Sequence, residues 1–200
     1  MSEFIVIKDF LSEENNERIM NYVLNKEQEF KTANILYNGS KVQSEDRVAL
    51  NLYDLGELRA LFLKELEGRV DEVYRELGIK PVEVPEFDMQ IAAMGNGGRF
   101  IKHIDTVIHK DWELQRVVTF VYYFNTVPKK FSGGELKVFP MGFKDGNTEP
   151  VNLVPENNML VGFPSFIAHE VLPVQLEDNR FDNYRFNLLC LICRKSTANT

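Results

Sequence analysis

The chain has few of the residues that build disulfide or zinc scaffolds, and its net charge has the wrong sign for nucleic acid. It contains two cysteines and three histidines among 200 residues, and its formal net charge is −7. Cys190 and Cys193 lie in an apolar run, where residues three apart face opposite sides of a strand, so we expect two buried core thiols. An acidic chain is poorly suited to nonspecific binding of nucleic acid, so we expect no nucleic-acid partner.

Long hydrophobic segments are also missing. The longest apolar run, Leu188 to Cys193, is far too short to span a membrane, so we expect no membrane partner. The first residues lack the basic and apolar regions of a signal peptide. We therefore expect a cytoplasmic protein, and the sequence gives no indication of its oligomeric state.

Helical periodicity is confined to the first part of the chain. Ser12 is a good N-cap for a helix that runs to about Leu24. A longer helix is predicted from Glu57 to Leu77, with Gly78 as its C-cap.

The remaining pattern is that of short strands. Phe4–Ile7 reads as a short strand, and Asn38–Gly39 between apolar stretches indicates a hairpin. After Pro85, strands rich in β-branched and aromatic residues are predicted at Phe87–Met94, Phe100–Asp105, Arg116–Asn125, Glu135–Phe139, Met159–Phe163, His169–Val174 and Tyr184–Cys193. We therefore predict a single domain over 1–200, with a helical flank at 1–85, an all-β barrel or sandwich at 86–194 and a polar tail at 195–200.

Two of the three histidines belong to a pattern that makes chemical sense as a metal site. His103 and Asp105 are two apart, so on a strand their side chains point to the same face. His169, from a later strand, completes a set of two histidines and one carboxylate, which is typical of non-haem Fe(II) centres with open coordination positions. His109, in the polar segment 106–114, is the alternative second histidine.

Such an iron centre needs a source of electrons when O2 is the oxidant, and 2-oxoglutarate is the common donor. Its far carboxylate requires a cation, for which the fork of an arginine is best suited. Arg185 opens the last apolar strand, where a charge is otherwise unexplained, and it is our preferred anchor. Arg180, in a polar loop, is the alternative.

From about Met89 to Arg194 the chain resembles the prolyl 4-hydroxylase group of Fe(II)/2-oxoglutarate dioxygenases, which includes the oxygen-sensing prolyl hydroxylases. The matching segments keep the order of that family: Gly95–Asp105, Val121–Asn125, Phe131–Pro140, His169–Val174 and Tyr184–Leu188. The resemblance implies a mainly β fold with flanking helices (α+β), built on a double-stranded β-helix or jelly-roll core.

The resemblance also assigns roles to residues. His103, Asp105 and His169 match the iron ligands, Arg185 matches the anchor of 2-oxoglutarate, and Tyr123 matches a tyrosine that reaches the same carboxylate. Gly133–Gly134 is most simply the sharp entry into a barrel strand.

Two departures from the family concern the cosubstrate pocket. Ala93 stands ten residues before the first ligand, where the family usually has a tyrosine that contacts the cosubstrate. An insertion at Glu177–Asn183 lengthens the segment between His169 and Arg185, which keeps Arg180 open as the anchor.

The function that the resemblance implies is hydroxylation of a C–H bond by Fe(II), 2-oxoglutarate and O2, with ascorbate as a candidate further cofactor. A prolyl residue of a peptide or protein is the expected substrate, and a free amino acid or another small molecule is the alternative. Candidate peptide-binding segments are the Asn38–Gly39 hairpin with the stretch to Arg47, and the Thr106–Glu113 loop with Trp112. A non-catalytic jelly-roll binding module and a Zn- or Mn-dependent cupin-like hydrolase or isomerase remain open.

Overall fold

The computed structural model describes residues 2–37, 40–106, 114–141 and 149–195. Its helices are α1 (Glu13–Asn25), α2 (Glu57–Glu67) and α3 (Val70–Leu77), with short 3-10 helices at Glu27–Glu29 and Phe181–Asn183. The strands are, in chain order, β1 (Ile5–Lys8), β2 (Lys31–Thr32), β3 (Ile35–Tyr37), β4 (Ser40–Val42), β5 (Arg47–Val48), β6 (Leu50–Leu52), β7 (Glu86–Met94), β8 (Arg99–His103), β9 (Leu114–Phe124), β10 (Phe131–Gly133), β11 (Leu136–Phe139), β12 (Val151–Leu153), β13 (Met159–Pro164), β14 (Ala168–Val171), β15 (Val174–Leu176) and β16 (Arg185–Lys195).

Two antiparallel sheets form the body of the described part of the chain. The larger has the strand order β1-β13-β9-β16-β7-β6-β2, and the smaller has the order β12-β11-β14-β8-β5. Their facing surfaces share one apolar cluster, in which Val121, Tyr123 and Val161 of the larger sheet meet Leu136 and Val138 of the smaller. Two sheets packed in this way form a jelly-roll, which confirms the predicted mainly β fold class.

The helices cover the outer face of the larger sheet. Ser12 caps α1, since its hydroxyl accepts a hydrogen bond from the backbone N–H of Asn15. The apolar side of α1 buries Ile19 and Val23 completely, in the same cluster as residues of β9 and β16. Burying a side chain of this size contributes roughly 1.5–3 kcal/mol.

The single long helix predicted over Glu57–Leu77 is wrong, because the structure has two helices. The first ends at Glu67 and the second begins at Val70, with Gly68 and Arg69 between them. Glycine has the weakest helix propensity of the ordinary residues, and Arg69 leaves the helical region with φ −124°. The predicted C-cap is confirmed, since Gly78 adopts the left-handed conformation with φ +65°.

The predicted strands are found with small shifts at their ends, and one of them is divided. The stretch predicted at His169–Val174 forms β14 and β15, separated by Leu172 and Pro173, because proline has no N–H to donate to a ladder. The sequence analysis missed β10 and β12, which are short, and also β2, β5 and β6 of the N-terminal flank.

The N-terminal flank contributes to both sheets. β1 pairs with β13 and β6 pairs with β7 in the larger sheet, while β5 pairs with β8 in the smaller. β3 and β4 pair with each other as the hairpin prediction requires, and the Asn38–Gly39 turn itself lies outside the described residues. The flank is therefore not only helical.

The cysteine prediction is confirmed. Cys190 and Cys193 are buried in β16 and neither forms a disulfide. Burial raises the pKa of the Cys193 thiol to about 11, so the thiol is neutral and unreactive at ordinary pH. Within the described ranges, every helix is too short or too polar to cross a bilayer.

Candidate active site

Three side chains that could hold a metal ion converge where β8 and β14 lie side by side. His103 is the last residue of β8, and β14 places His169 directly opposite it in the strand register. Asp105 lies two residues beyond the end of β8, rather than on the strand as predicted. Its backbone N–H donates to the carbonyl oxygen of Ser165 at 2.9 Å, which holds it beside the histidines.

The donor atoms of these three residues form one cluster. One ligand atom from each lies within 4.8 Å of the other two. The Asp105 carboxylate is 3.7 Å from His103 Nε2 and 3.6 Å from His169 Nε2. Two imidazole nitrogens and one carboxylate on one side of a pocket are the donor set of a facial Fe(II) centre.

Both imidazoles are oriented through their other ring nitrogen. His103 Nδ1 is 2.7 Å from the carbonyl oxygen of Ile101, and His169 Nδ1 is 2.9 Å from that of Ile167. Because a carbonyl only accepts, each Nδ1 carries the proton and each Nε2 keeps its lone pair. This tautomer turns the two lone pairs toward Asp105, as metal-ligating histidines require.

The environment keeps His103 neutral. Burial lowers the pKa of His103 to about 4, and the neighbouring His169 acts in the same direction. A neutral imidazole can coordinate a metal without first releasing a proton at neutral pH.

The carboxylate has its own supporting residues, which the sequence analysis missed. The hydroxyl of the fully buried Thr119 donates to Asp105 Oδ2 at 2.8 Å. The same Thr119 oxygen lies 3.0 Å from Ser165 Oγ. The available signal was Thr119, a polar residue inside the apolar run Val117–Tyr123. Residues two and four apart on β9 share a face, so Thr119 faces the same side as Val121 and Tyr123.

Aromatic rings flank the two histidines. The ring of Phe100 stacks on His103 at 3.5 Å, and Phe163 meets His169 edge-on at 4.7 Å. These contacts restrict the imidazole planes and keep water from the donor atoms.

A buried cation lies at the start of β16, beside the inward-facing Tyr123 of β9. Arg185, the first residue of β16, is 1% exposed, and its Nε donates to the carbonyl oxygen of Gly134 at 2.8 Å. Its Nη1 donates to the side chain of Asn187 at 2.7 Å and lies 3.7 Å from the sulfur of Met94. None of these partners is charged, so the guanidinium is buried without a counter-ion in contact.

Tyr123 lies beside this arginine with an unused hydroxyl. The guanidinium carbon of Arg185 is 4.9 Å from the centre of the Tyr123 ring. The Tyr123 hydroxyl is buried and has no hydrogen-bond partner. Burial raises the pKa of Tyr123, and the nearby charge of Arg185 offsets part of that rise. A neutral hydroxyl donor and a guanidinium, both lacking an anion, are what a buried carboxylate of a ligand would satisfy.

Strand β9 runs from the side chains around Asp105 to those around Arg185. Thr119, which supports Asp105, and Tyr123 lie on the same face of β9, separated by about 13 Å of strand. Three metal donors at one end and a cation at the other fit a ligand that chelates a metal and carries a second carboxylate.

The alternative anchor, Arg180, is on the surface. It is ion-paired with Asp182 at 2.7 Å, and two thirds of its side chain is exposed. The segment 177–183 packs through Phe181, whose ring contacts Phe30 and Phe186. Arg180 is therefore directed toward solvent, whereas Arg185 is buried between the sheets.

The alanine at position 93 does not open a gap beside Arg185. Ala93 belongs to the core shared with the helices, on the outer face of β7. The next residue, Met94, faces inward and contacts Arg185. Met94, rather than the residue at position 93, is therefore the β7 side chain that lies beside Arg185.

His109 and Trp112 lie outside the described residues, as do Asn38, Gly39 and the tail from residue 196. Arg47, at the end of the first candidate peptide-binding segment, is described, and its guanidinium lies over the ring of Phe100.

Comparison with known proteins agrees with this geometry. Residues 89–187 match the family model of the 2OG-Fe(II) oxygenase superfamily. An uncharacterized PKHD-type hydroxylase of Synechocystis is 31% identical over 186 residues, covering 91% of this chain and 60% of that protein. The chain therefore spans three fifths of the length of that relative.

Solved structures share the fold. A prolyl-4-hydroxylase of Pseudomonas putida has a TM-score of 0.68 and 21% identity, covering 96% of this chain and 93% of that one. A prolyl hydroxylase of Trichoplax adhaerens, in complex with a peptide fragment of the hypoxia inducible factor, has a TM-score of 0.67 and 23% identity, covering 95% and 83%. The match of residues 89–187, a segment that contains His103, Asp105, His169 and Arg185, shows that the chain carries a domain of the 2OG-Fe(II) oxygenase superfamily.

Proposed function

We propose that this protein is an Fe(II)- and 2-oxoglutarate-dependent dioxygenase that hydroxylates a C–H bond of a prolyl residue in a peptide or protein. The observation that carries the proposal is the arrangement of side chains between the two sheets. It has a cluster of two imidazoles and a carboxylate at one end, and an arginine and a tyrosine without an anion at the other.

Each residue has a distinct task in this proposal. His103, Asp105 and His169 would hold the iron on one side, which leaves the other side of the metal for ligands. Arg185 and the hydroxyl of Tyr123 would bind the far carboxylate of 2-oxoglutarate and fix its direction in the pocket. Thr119 holds the Asp105 carboxylate in place, and Phe100 and Phe163 limit the access of water.

The bound group would supply the oxidation, and the protein the geometry. Fe(II) with 2-oxoglutarate and O2 provides the chemistry that replaces a C–H bond with C–OH, so no side chain need act as a general base. Ascorbate is a candidate reductant for the iron, and we place the protein in the cytoplasm. The prolyl substrate is supported by the prolyl hydroxylases among the similar structures, one of which is bound to a peptide.

The test is the visible charge-transfer absorption of the anaerobic protein mixed with Fe(II) and 2-oxoglutarate. We expect a band in the wild type, and a 2-oxoglutarate Kd at least about 30-fold higher in Arg185→Gln, because a buried charged anchor contributes roughly 2–5 kcal/mol. Arg180→Gln is the matched control and should bind 2-oxoglutarate like the wild type.

Other outcomes have clear meanings. A weaker band in Arg180→Gln but not in Arg185→Gln would show that Arg180, in the surface loop, binds the far carboxylate. A folded wild type with no band would contradict the proposal and favour a binding module or an enzyme that uses Zn or Mn.

A further inference from the structure

A second arginine, Arg47, lies near the proposed metal donors, from which the ring of Phe100 separates it. It begins β5, where it is paired with Phe100 of β8. Its guanidinium lies over the Phe100 ring, with 5.0 Å from the guanidinium carbon to the ring centre. Since the other face of Phe100 stacks on His103, only one aromatic ring separates Arg47 from a proposed iron ligand.

The hydrogen bonds of Arg47 are few and neutral. Nη1 donates to the carbonyl oxygen of Asn34 at 3.3 Å, and Nη2 donates to the side chain of Asn51 at 3.4 Å. Nε is buried and has no partner. Both bonds are long, and neither acceptor carries charge.

Neighbouring arginines are paired differently. Arg99, beside Arg47 on the adjacent strand, forms an ion pair with Glu45 at 3.3 Å, and Arg116 forms one with Asp88 at 2.8 Å. Across the described ranges, Arg47 has no carboxylate within ion-pair distance. Burial lowers the pKa of Arg47, which reflects the cost of holding its charge there. A partly buried guanidinium without an anion is costly to the free protein, and a bound anion would offset that cost.

The charge balance of the proposed complex also leaves Arg47 without a partner. Fe(II) and Arg185 are balanced by Asp105 and the two carboxylates of 2-oxoglutarate, with both histidines neutral. Arg47 then leaves one uncompensated positive charge close to the metal. A cavity of about 480 Å³ adjoins this residue and provides room for a ligand, with Ser44, Glu45, Arg47, Asn96 and Asn179 in its wall. The Glu45 carboxylate in that wall is ion-paired with Arg99 rather than with Arg47.

We propose that Arg47 binds a carboxylate of the primary substrate and so selects substrates that carry an acidic group close to the carbon to be hydroxylated. This inference rests on the proposed function and narrows its substrate class. The carboxylate is either the terminal one of an amino acid or peptide, or an acidic side chain next to the target residue. In both cases the unused Nε and one terminal nitrogen offer the paired donors that a carboxylate accepts.

Calorimetric titration of the anaerobic Fe(II)·2-oxoglutarate protein tests this inference with matched acid and amide probes. N-acetyl-L-proline against N-acetyl-L-prolinamide examines a terminal carboxylate. A prolyl-aspartyl dipeptide blocked at both ends, against its prolyl-asparaginyl counterpart, examines an acidic side chain. We expect the acid of at least one pair to bind at least tenfold tighter than its amide.

Variants then assign the preference to Arg47. Arg47→Gln should abolish the difference between acid and amide, and Arg47→Lys should keep part of it because the charge remains. Arg99→Gln removes a charge from the adjacent strand and should keep the full difference. The Kd of 2-oxoglutarate should stay within twofold of wild type in all three variants.

Three results would overturn the inference. Equal binding of acids and amides in the wild type would do so, as would the absence of measurable binding by any acid probe. A marked rise in the 2-oxoglutarate Kd of Arg47→Gln would assign the arginine to the cosubstrate instead. The charge-transfer band of the wild type reports on the proposed function independently, so failure of the chelate and failure of the Arg47 inference remain distinguishable.

Discussion

At the scale of single residues, Tyr123 shows how the pocket is prepared for a ligand. Its hydroxyl is buried without a hydrogen-bond partner in the described structure, although its ring packs between the sheets. An unsatisfied buried hydroxyl costs the protein roughly 1–3 kcal/mol. In the proposed complex, a carboxylate bound next to Arg185 would offset this cost.

Tyr123→Phe should therefore have opposite effects in the free and the bound protein. Without ligand, we expect thermal stability that is equal to or slightly above that of the wild type, because only an unsatisfied group is lost. With Fe(II) present, the Kd of 2-oxoglutarate should rise about tenfold, which corresponds to the loss of one hydrogen bond to a charged group.

Thermal unfolding with and without ligand, together with titration of 2-oxoglutarate, measures both effects. Tyr122→Phe is a useful comparison, because the Tyr122 hydroxyl is bonded to Asn16 at 2.7 Å on the other side of the sheet. That variant should lose stability and keep its affinity for 2-oxoglutarate. If Tyr123→Phe left the Kd of 2-oxoglutarate unchanged, the Tyr123 hydroxyl would not bind the cosubstrate.

At the scale of elements, the turn between β10 and β11 positions the anchor. Gly134 has φ +67°, and its carbonyl oxygen accepts the hydrogen bond from Arg185 Nε. A Cβ at this position would lie 2.6 Å from Cδ of Arg185. Glycine is required here both for the backbone conformation and for the approach of the arginine.

Gly134→Ala should displace Arg185 and weaken 2-oxoglutarate binding about tenfold or more, with little change in metal affinity, because the triad lies on other elements. Gly97→Ala is the matched control, since Gly97 has φ +75° and an added Cβ would meet nothing within 4 Å. Both variants carry the strain of an alanine at positive φ, roughly 1–2 kcal/mol. Equal 2-oxoglutarate affinity in the two variants, measured by titration, would contradict this role of the turn.

Elements differ in how far local sequence predicts them. The cap at Ser12, the C-cap at Gly78 and the long strand β16 follow from residues adjacent in the chain, and they are predicted well. The two-residue strands β2 and β5 are too short to show a period, and they form only because β6 and β8 offer them a hydrogen-bonding edge. The break at Gly68 shows that one glycine outweighs a continuous apolar stripe.

At the scale of the whole molecule, one asparagine joins the N-terminal flank to the barrel. Asn158 is buried with φ +61°, its Oδ1 accepts from Leu11 N at 2.9 Å, and its Nδ2 donates to Leu11 O at 2.8 Å. The same Oδ1 accepts from the Tyr122 hydroxyl at 3.0 Å. Because β1 and β6 also extend the larger sheet, we expect the flank and the barrel to unfold together.

Asn158→Ala should lower the free energy of unfolding by about 3 kcal/mol, since buried partners lose their hydrogen bonds, while unfolding stays a single transition. Denaturant unfolding followed by far-UV and near-UV circular dichroism tests both statements. Asn152→Ala, at an exposed site on β12, should change stability by less than about 0.5 kcal/mol. Helix loss that precedes the loss of aromatic signals would show that the flank is a separate unit.

The sequence by itself determined the chemistry and the local structure of this protein. The spacing of His103 and Asp105, the later His169 and the order of the matching segments are properties of the chain, and they pointed to the metal donors before any fold was known. The tertiary structure decided which distant residues meet. Three such contacts depend on strand register and loop packing between segments far apart in sequence. They are Thr119 with Asp105, Arg47 with Phe100, and Arg185, rather than Arg180, with Gly134. Register is a collective result of packing across both sheets, so no local pattern could specify these contacts.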